Sequence, residues 1–72
     1  MTVRVRAGSW ASRWLTDTQI SGDTLTAREA AKLAGLPEDK IGLLVLHGTV
    51  VPPDTVLQDG DELWCHPFIV GG

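Results

Sequence analysis

Apolar and polar residues alternate with period two over residues 1–7, MTVRVRA. Val3, Val5 and Ala7 share one face and Arg4 and Arg6 the other, which predicts a half-buried strand. Gly8-Ser9 opens a turn, and a second strand is expected to return within 12–20. Trp10, Trp14 and Leu15 fit no single alternation there, so a looped or one-turn insert before Leu15 is expected. Ser21-Gly22-Asp23 breaks the strand, and the period then changes. Thr26-Ala-Arg-Glu29 has the form of a capping box, in which the threonine hydroxyl takes an orphan amide and the glutamate reaches back. Leu25 and Ala30 suit a hydrophobic staple around it. The helix is predicted over Ala27–Ala34, ended by Gly35 and barred from continuing by Pro37. Its core face reads Ala27, Ala30, Ala31, Leu33 and Ala34, small enough to lie close on a sheet.

Further on, Ile41–Leu46 is a third strand, His47-Gly48 a tight turn and Thr49–Val51 a short strand before Pro52-Pro53. Asp59-Gly60-Asp61 is a turn signal, and 62–70 form the last strand. Strand, strand, helix and three more strands make an α+β fold, a mixed sheet of about five strands packed on one short helix. One short helix leaves the sheet's other face bare. Parity along the last strand puts Leu63 and Cys65 towards the helix and Trp64, His66 and Phe68 away from it. Trp64 and Phe68 are therefore candidates for an exposed partner-binding patch, unless Trp10 or Trp14 folds over them.

Composition narrows the function. Seventy-two residues are expected to form a single domain over 1–72, and a chain this short buries only roughly 60% of its unfolded surface. It is too small to enclose a deep catalytic cleft. Hydrophobic residues at 43% and charged residues at 21% belong to a globular chain. A net charge of −3 argues against binding nucleic acid, which needs clustered lysine and arginine. No signal-peptide core or membrane-length apolar run is present, so neither membrane nor secretion is expected and the cytoplasm is the default. The lone cysteine, Cys65, forms no internal disulfide and reads as a small buried hydrophobe. Neighbouring strand residues point to opposite faces, so Cys65 and His66 share neither a metal ion nor a nucleophile–base pair, and with His47 alone no metal site is expected. Four cysteines would be needed for an iron–sulfur role. Glu38, Asp39, Asp54, Asp59, Asp61 and Glu62 read as solvated turns, or as acids steering the chain to a basic groove. Arg28 and Lys32 belong to the wet face of the helix.

From residue 43 onwards "LLVLHGTVV" and "DTVLQDGDELWCHPFIVGG" resemble the ThiS/MoaD family of sulfur-carrier proteins. The shared features are a strand ending in a Gly-containing turn, an Asp-Gly-Asp turn and a last strand leading to Gly71-Gly72. Residues 8–20 match poorly, and His47 stands where many members have Asn. The resemblance implies a ubiquitin-like β-grasp with strand order 2-1-5-3-4, its first and last strands parallel neighbours. Arg4 and Arg6 would then flank the aromatics and stack on them.

The chemistry implied by the family sits at the end of the chain. Residues 69–72, expected as a flexible tail, would reach about 13 Å when extended. Gly71 and Gly72 lack Cβ and pass a channel too narrow for other residues, while Ile69 and Val70 bury apolar surface in the partner. The resemblance implies that an E1-like adenylyltransferase activates the Gly72 carboxylate with ATP and Mg²⁺. Sulfur from a persulfide donor then gives a thiocarboxylate for delivery to an acceptor enzyme. The chain itself binds no cofactor and supplies no acid, base or metal, so it is a co-substrate and not an enzyme. Pro67 resembles the molybdopterin-synthase small subunit, whose acceptor is the large subunit. The short length is closer to the thiamine carrier, whose acceptor is thiazole synthase. A covalent modifier joined through Gly72 to lysines, and a non-covalent interaction domain with an incidental diglycine, are the alternatives.

Overall fold

The alternating segments form strands β1 (Thr2–Ala7), β2 (Thr18–Ser21), β3 (Ile41–Leu46), β4 (Thr49–Val51) and β5 (Glu62–Pro67), with one helix, α1 (Ala27–Ala34). The computed structural model describes residues 1–67, with the backbone alone at Ser9 and Trp10. The strands lie in one sheet of order β2-β1-β5-β3-β4. β1 and β5 are parallel neighbours, and every other pair is antiparallel. This is the order the family resemblance implies. The part of the last strand expected over 68–70, and the tail at 69–72, lie outside the described residues.

Local chemistry sets the helix ends. The Glu29 amide donates to Thr26 Oγ1 at 3.2 Å, and the Thr26 amide donates to Glu29 Oε1 at 3.0 Å. At the far end Gly35 has φ 119°, a left-handed conformation that glycine adopts without a Cβ penalty. Its neighbour Leu36 donates its amide to the Ala31 carbonyl at 3.1 Å. Ala27, Ala30 and Ala31 are fully buried and Ala34 half-buried against the core. Leu33 departs from expectation: it is 63% exposed. At 100° per residue it stands roughly 110° round the helix from the centre of the alanine stripe, too far to reach the sheet. The large side chains of the core on this side include Leu15, Leu25, Leu36 and Leu57, all from connecting segments and all buried.

Residues 8–20 resolve the broken alternation. Ser9–Arg13 form a 3₁₀ turn, and β2 begins only at Thr18. Ala11 and Leu15, flanking the end of that turn, are buried, so the apolar spacing there follows a helical turn and not a strand. Trp14 is half-buried against the core cluster, with the Arg13 guanidinium 5.8 Å from its ring centroid. It does not cover the sheet's outer face. Between β3 and β4, His47 at φ 53° and Gly48 at φ 76° make the two-residue turn of a twisted hairpin.

Candidate partner-binding face and tail exit

Strand parity holds along β5. Leu63 and Cys65 are fully buried on the inner face, whereas Trp64 is 37% exposed on the opposite face. Burial pushes the Cys65 thiol from 9.0 up to about 12, which keeps it protonated and unreactive at neutral pH. Among the described residues no three His, Cys, Asp or Glu side chains converge as metal ligands would.

The outer face is more apolar than the last strand alone indicated. Register sets Val45 opposite Trp64 and Leu43 opposite His66, and Val50 opposite Val45. Leu43 is 56% exposed and Val50 57%. Leu43, Val45, Val50 and Trp64 thus lie on one side of β4, β3 and β5 as a contiguous patch, the kind of surface that marks a protein contact. Sequence reasoning missed the β3 and β4 members. Ile41–Leu46 is apolar throughout, which reads as a strand buried on both faces. The available signal was that one short helix covers a single face, so half of any such strand must be bare.

Charged residues fix one border of this patch. The Arg6 guanidinium lies 5.1 Å from the centroid of the Trp64 ring. Its Nε is 2.8 Å from Asp17 Oδ2 and its Nη1 3.2 Å from Glu62 Oε2. Trp64 in turn donates Nε1–H to Glu62 Oε1 at 3.2 Å. The indole is therefore held in place, ready to be covered without losing rotamer freedom. The expected stacking of Arg4 is corrected by register: Arg6 lies level with Trp64, while Arg4 lies level with Glu62 and with Gln19 of β2.

His66, the other expected contact residue on this strand, is half-buried and packed beside Gly8. Phe68, Ile69, Val70, Gly71 and Gly72 lie outside the described residues. Of the six acids read as solvated turns, Asp61 is a clear exception at 8% exposed. Its Oδ2 accepts the Gln58 amide at 2.8 Å and its Oδ1 lies 3.1 Å from His47 Nε2. Asp59 accepts the Thr2 amide at 2.8 Å. Glu38 pairs with Arg28 and Lys32 of α1, leaving Asp39 and Asp54 as exposed turn acids.

A five-stranded mixed sheet with parallel central strands and one crossover helix is a ubiquitin-like β-grasp. The structure is similar to that of SAMP1 from Haloferax volcanii, with a TM-score of 0.71, over 100% of both chains and at 16% sequence identity. No protein-family model and no curated protein matches the sequence. Among the described residues no helix is long and apolar enough to cross a membrane.

Proposed function

We propose that this protein is a sulfur carrier and not an enzyme: it presents the Gly72 carboxylate to an E1-like adenylyltransferase. The observation that carries this reading is where β5 lies. It is gripped between β1 and β3 at the middle of the sheet, bears Trp64 of the apolar patch, and runs into the sequence Phe-Ile-Val-Gly-Gly. A partner that covers the patch lies beside the strand that delivers the diglycine.

The chemistry balances in three steps. A Gly72 carboxylate oxygen attacks the α-phosphorus of Mg²⁺-bound ATP, and pyrophosphate leaves. The terminal sulfur of a persulfide donor attacks the resulting acyl-adenylate, and AMP leaves, joining chain and donor through an acyl disulfide. A second thiol cleaves that bond, leaving the thiocarboxylate on Gly72 and a disulfide on the donor side. We place the chain with the molybdopterin-synthase small subunit on the strength of Pro67, delivering to a large catalytic subunit. The thiamine carrier, delivering to thiazole synthase, is the nearest alternative. The ubiquitin-like form of the fold favours one further reading, a covalent modifier in which a lysine amine takes the place of the sulfur donor.

Intact-mass spectrometry of the 72-residue chain, incubated with the adenylyltransferase, ATP, Mg²⁺ and a persulfide donor, tests all three. Exchange of one oxygen for one sulfur supports the carrier reading. Conjugates through lysine support the modifier, and an unaltered mass removes both. Adding large subunit or thiazole synthase to the sulfur-loaded chain then separates the two acceptors by which one discharges it.

A further inference from the structure

The two edge strands of the sheet, β2 and β4, are not equally open. β4 has three residues and runs straight into Pro52-Pro53, which lack the N–H that an added strand would need. β2 has no proline, charge or bulge over Thr18–Ser21, so it has none of the devices that blunt an exposed edge. Pairing shows which of its groups are free. The Met1 ammonium donates to the Gly22 carbonyl at 2.8 Å and the Gly22 amide to the Met1 carbonyl at 3.0 Å. Bonded and non-bonded pairs alternate along an antiparallel ladder. Val3–Ile20 and Val5–Thr18 are therefore bonded pairs, whereas Thr2–Ser21 and Arg4–Gln19 are not. The main chain of β1 agrees: the Thr2 carbonyl accepts the Gly60 amide and the Arg4 amide donates to the Asp61 carbonyl, both at 2.8 Å and both away from β2. Gln19 and Ser21, both exposed, thus turn their N–H and C=O groups outward.

Side chains around this edge select what lies on it. A strand added to β2 has its residues opposite Gln19 and Ser21 on the outer face, and the one opposite Ile20 on the inner face. A groove of about 430 Å³ beside them is lined by Arg4, Arg6, Asp17, Thr18 and Gln19, and a second of about 280 Å³ shares Arg4 and Gln19. Arg6 is taken up by Asp17 and Glu62, but the exposed Arg4 has no ion-pair partner among the described residues. A residue opposite Gln19 stands two strand spacings, about 10 Å, from Arg4, which an extended guanidinium and a glutamate span together. Ile20 is half-buried against the core cluster and offers apolar surface at the inner edge. A second copy fits badly: the register that pairs all of β2 with itself sets Asp17 opposite Asp23 twice, and like charges directly opposite destabilise. We infer that β2 is a docking edge for an extended segment of another protein, added antiparallel to it, with a carboxylate opposite Gln19 that reaches Arg4 and an apolar side chain on each neighbouring residue. Such a segment gains affinity from main-chain bonds and specificity from alternate side chains. The edge lies across the sheet from β3 and β4, so it is occupied without covering Leu43 or Val50, and it requires no chemistry at Gly72.

The probe is the acetylated, amidated peptide Thr-Val-Glu-Val-Thr, titrated into the full isotope-labelled chain and followed by amide chemical shift and hydrogen exchange. The Gln19 and Ser21 amides are expected to shift, and to exchange about tenfold more slowly with peptide bound, while those of Leu43 and Val50 stay unmoved. The same peptide with lysine for glutamate is expected to bind the wild-type chain about fivefold more weakly, a preference that Arg4→Ala erases. N-methylation of the glutamate, which removes the N–H aimed at the Gln19 carbonyl, is expected to weaken binding at least about fivefold. Gln19→Pro deletes the outward donor and leaves the bonded pairs with β1 in place. A similar loss is expected there, and the N-methylated peptide tests the same edge should that variant not fold. No shift at Gln19 and Ser21 with about 1 mM peptide, or equal binding of the glutamate and lysine peptides by the wild-type chain, overturns the inference. So does self-association of the free chain with both amides protected, which gives the edge to a second copy. A chain that is never adenylated but binds the peptide refutes the carrier reading and leaves the docking edge standing.

Discussion

Replacing Asp61 with alanine removes a nearly buried carboxylate that organises the approach to β5. The Gln58 amide loses the Oδ2 acceptor it meets at 2.8 Å. A hydrogen bond to a charged group contributes about 1.5–3 kcal/mol, and because Gln58 is itself exposed the vacated amide is met by water and adds no burial penalty. The second contact, to His47 Nε2, contributes far less, because the His47 side chain is 73% exposed and screened pairs contribute about 0–1 kcal/mol. Two main-chain bonds survive the substitution: Asp61 N–H to the Gln58 carbonyl at 3.0 Å, and Arg4 N–H to the Asp61 carbonyl at 2.8 Å. The expected loss is thus about 2–3 kcal/mol, which lowers the melting temperature by about 10–20 °C in a domain of this size. Urea denaturation followed by circular dichroism measures it. Asp61→Asn keeps an oxygen acceptor without the charge and is expected to lose about 1 kcal/mol. His47→Ala is expected to lose less than that. A loss below about 0.5 kcal/mol for Asp61→Ala, typical of an ordinary surface site, would refute the reasoning. So would equal losses for Asp61→Ala and His47→Ala, since the exposed His47 contact would then dominate.

Two further outcomes rest on burial and exposure. Cys65 binds its proton more tightly folded than unfolded, so the folded chain holds the extra proton between pH 9.0 and about 12. Its contribution to stability is complete below pH 9.0 and falls as pH rises towards about 12; iodoacetamide labelling that proceeds as fast in the native chain as in urea contradicts this. On the outer face, Leu43→Ser and Val50→Ser are expected to change stability by no more than about 0.5 kcal/mol. Each is expected to weaken binding to the activating enzyme about tenfold by titration calorimetry, as is Trp64→Ala; unaltered binding in all three would make the patch inert.

Where a single residue type dictates geometry, the fold is readable in the chain. Thr26, Glu29 and Gly35 bracket the helix because each supplies a partner or a backbone conformation that few other residues supply. Alternation along β1 and β5 survives because each strand has one covered and one open face. The misses have a common cause. Leu33 looks like a core residue by hydropathy but stands off the alanine stripe, and only the helix phase reveals it. Asp61 looks like a turn acid, yet it is buried, and one of its two side-chain partners, His47, comes from the β3–β4 turn, which no local pattern announces. The β3 and β4 parts of the apolar face share a continuous hydrophobic run with core positions, so composition alone does not separate the inner residues from the outer ones. The contact between Gly8 and His66 joins residues far apart in sequence and carries no local signature.

The alanine stripe of α1 leaves the helix lying flat on the sheet, with the bulk of the core arriving by way of Leu15, Leu25, Leu36 and Leu57. Those four sit in stretches that would normally be trimmed, swapped or tagged at will. Shortening any of them pulls a plug from the interior, so engineering of this scaffold has to leave its connections intact. The β3–β4 hairpin tip is different: no described residue approaches within 4 Å of a side chain built at Gly48. An epitope or fluorophore inserted there would leave the interior filled, at the cost of the His47 contact with Asp61.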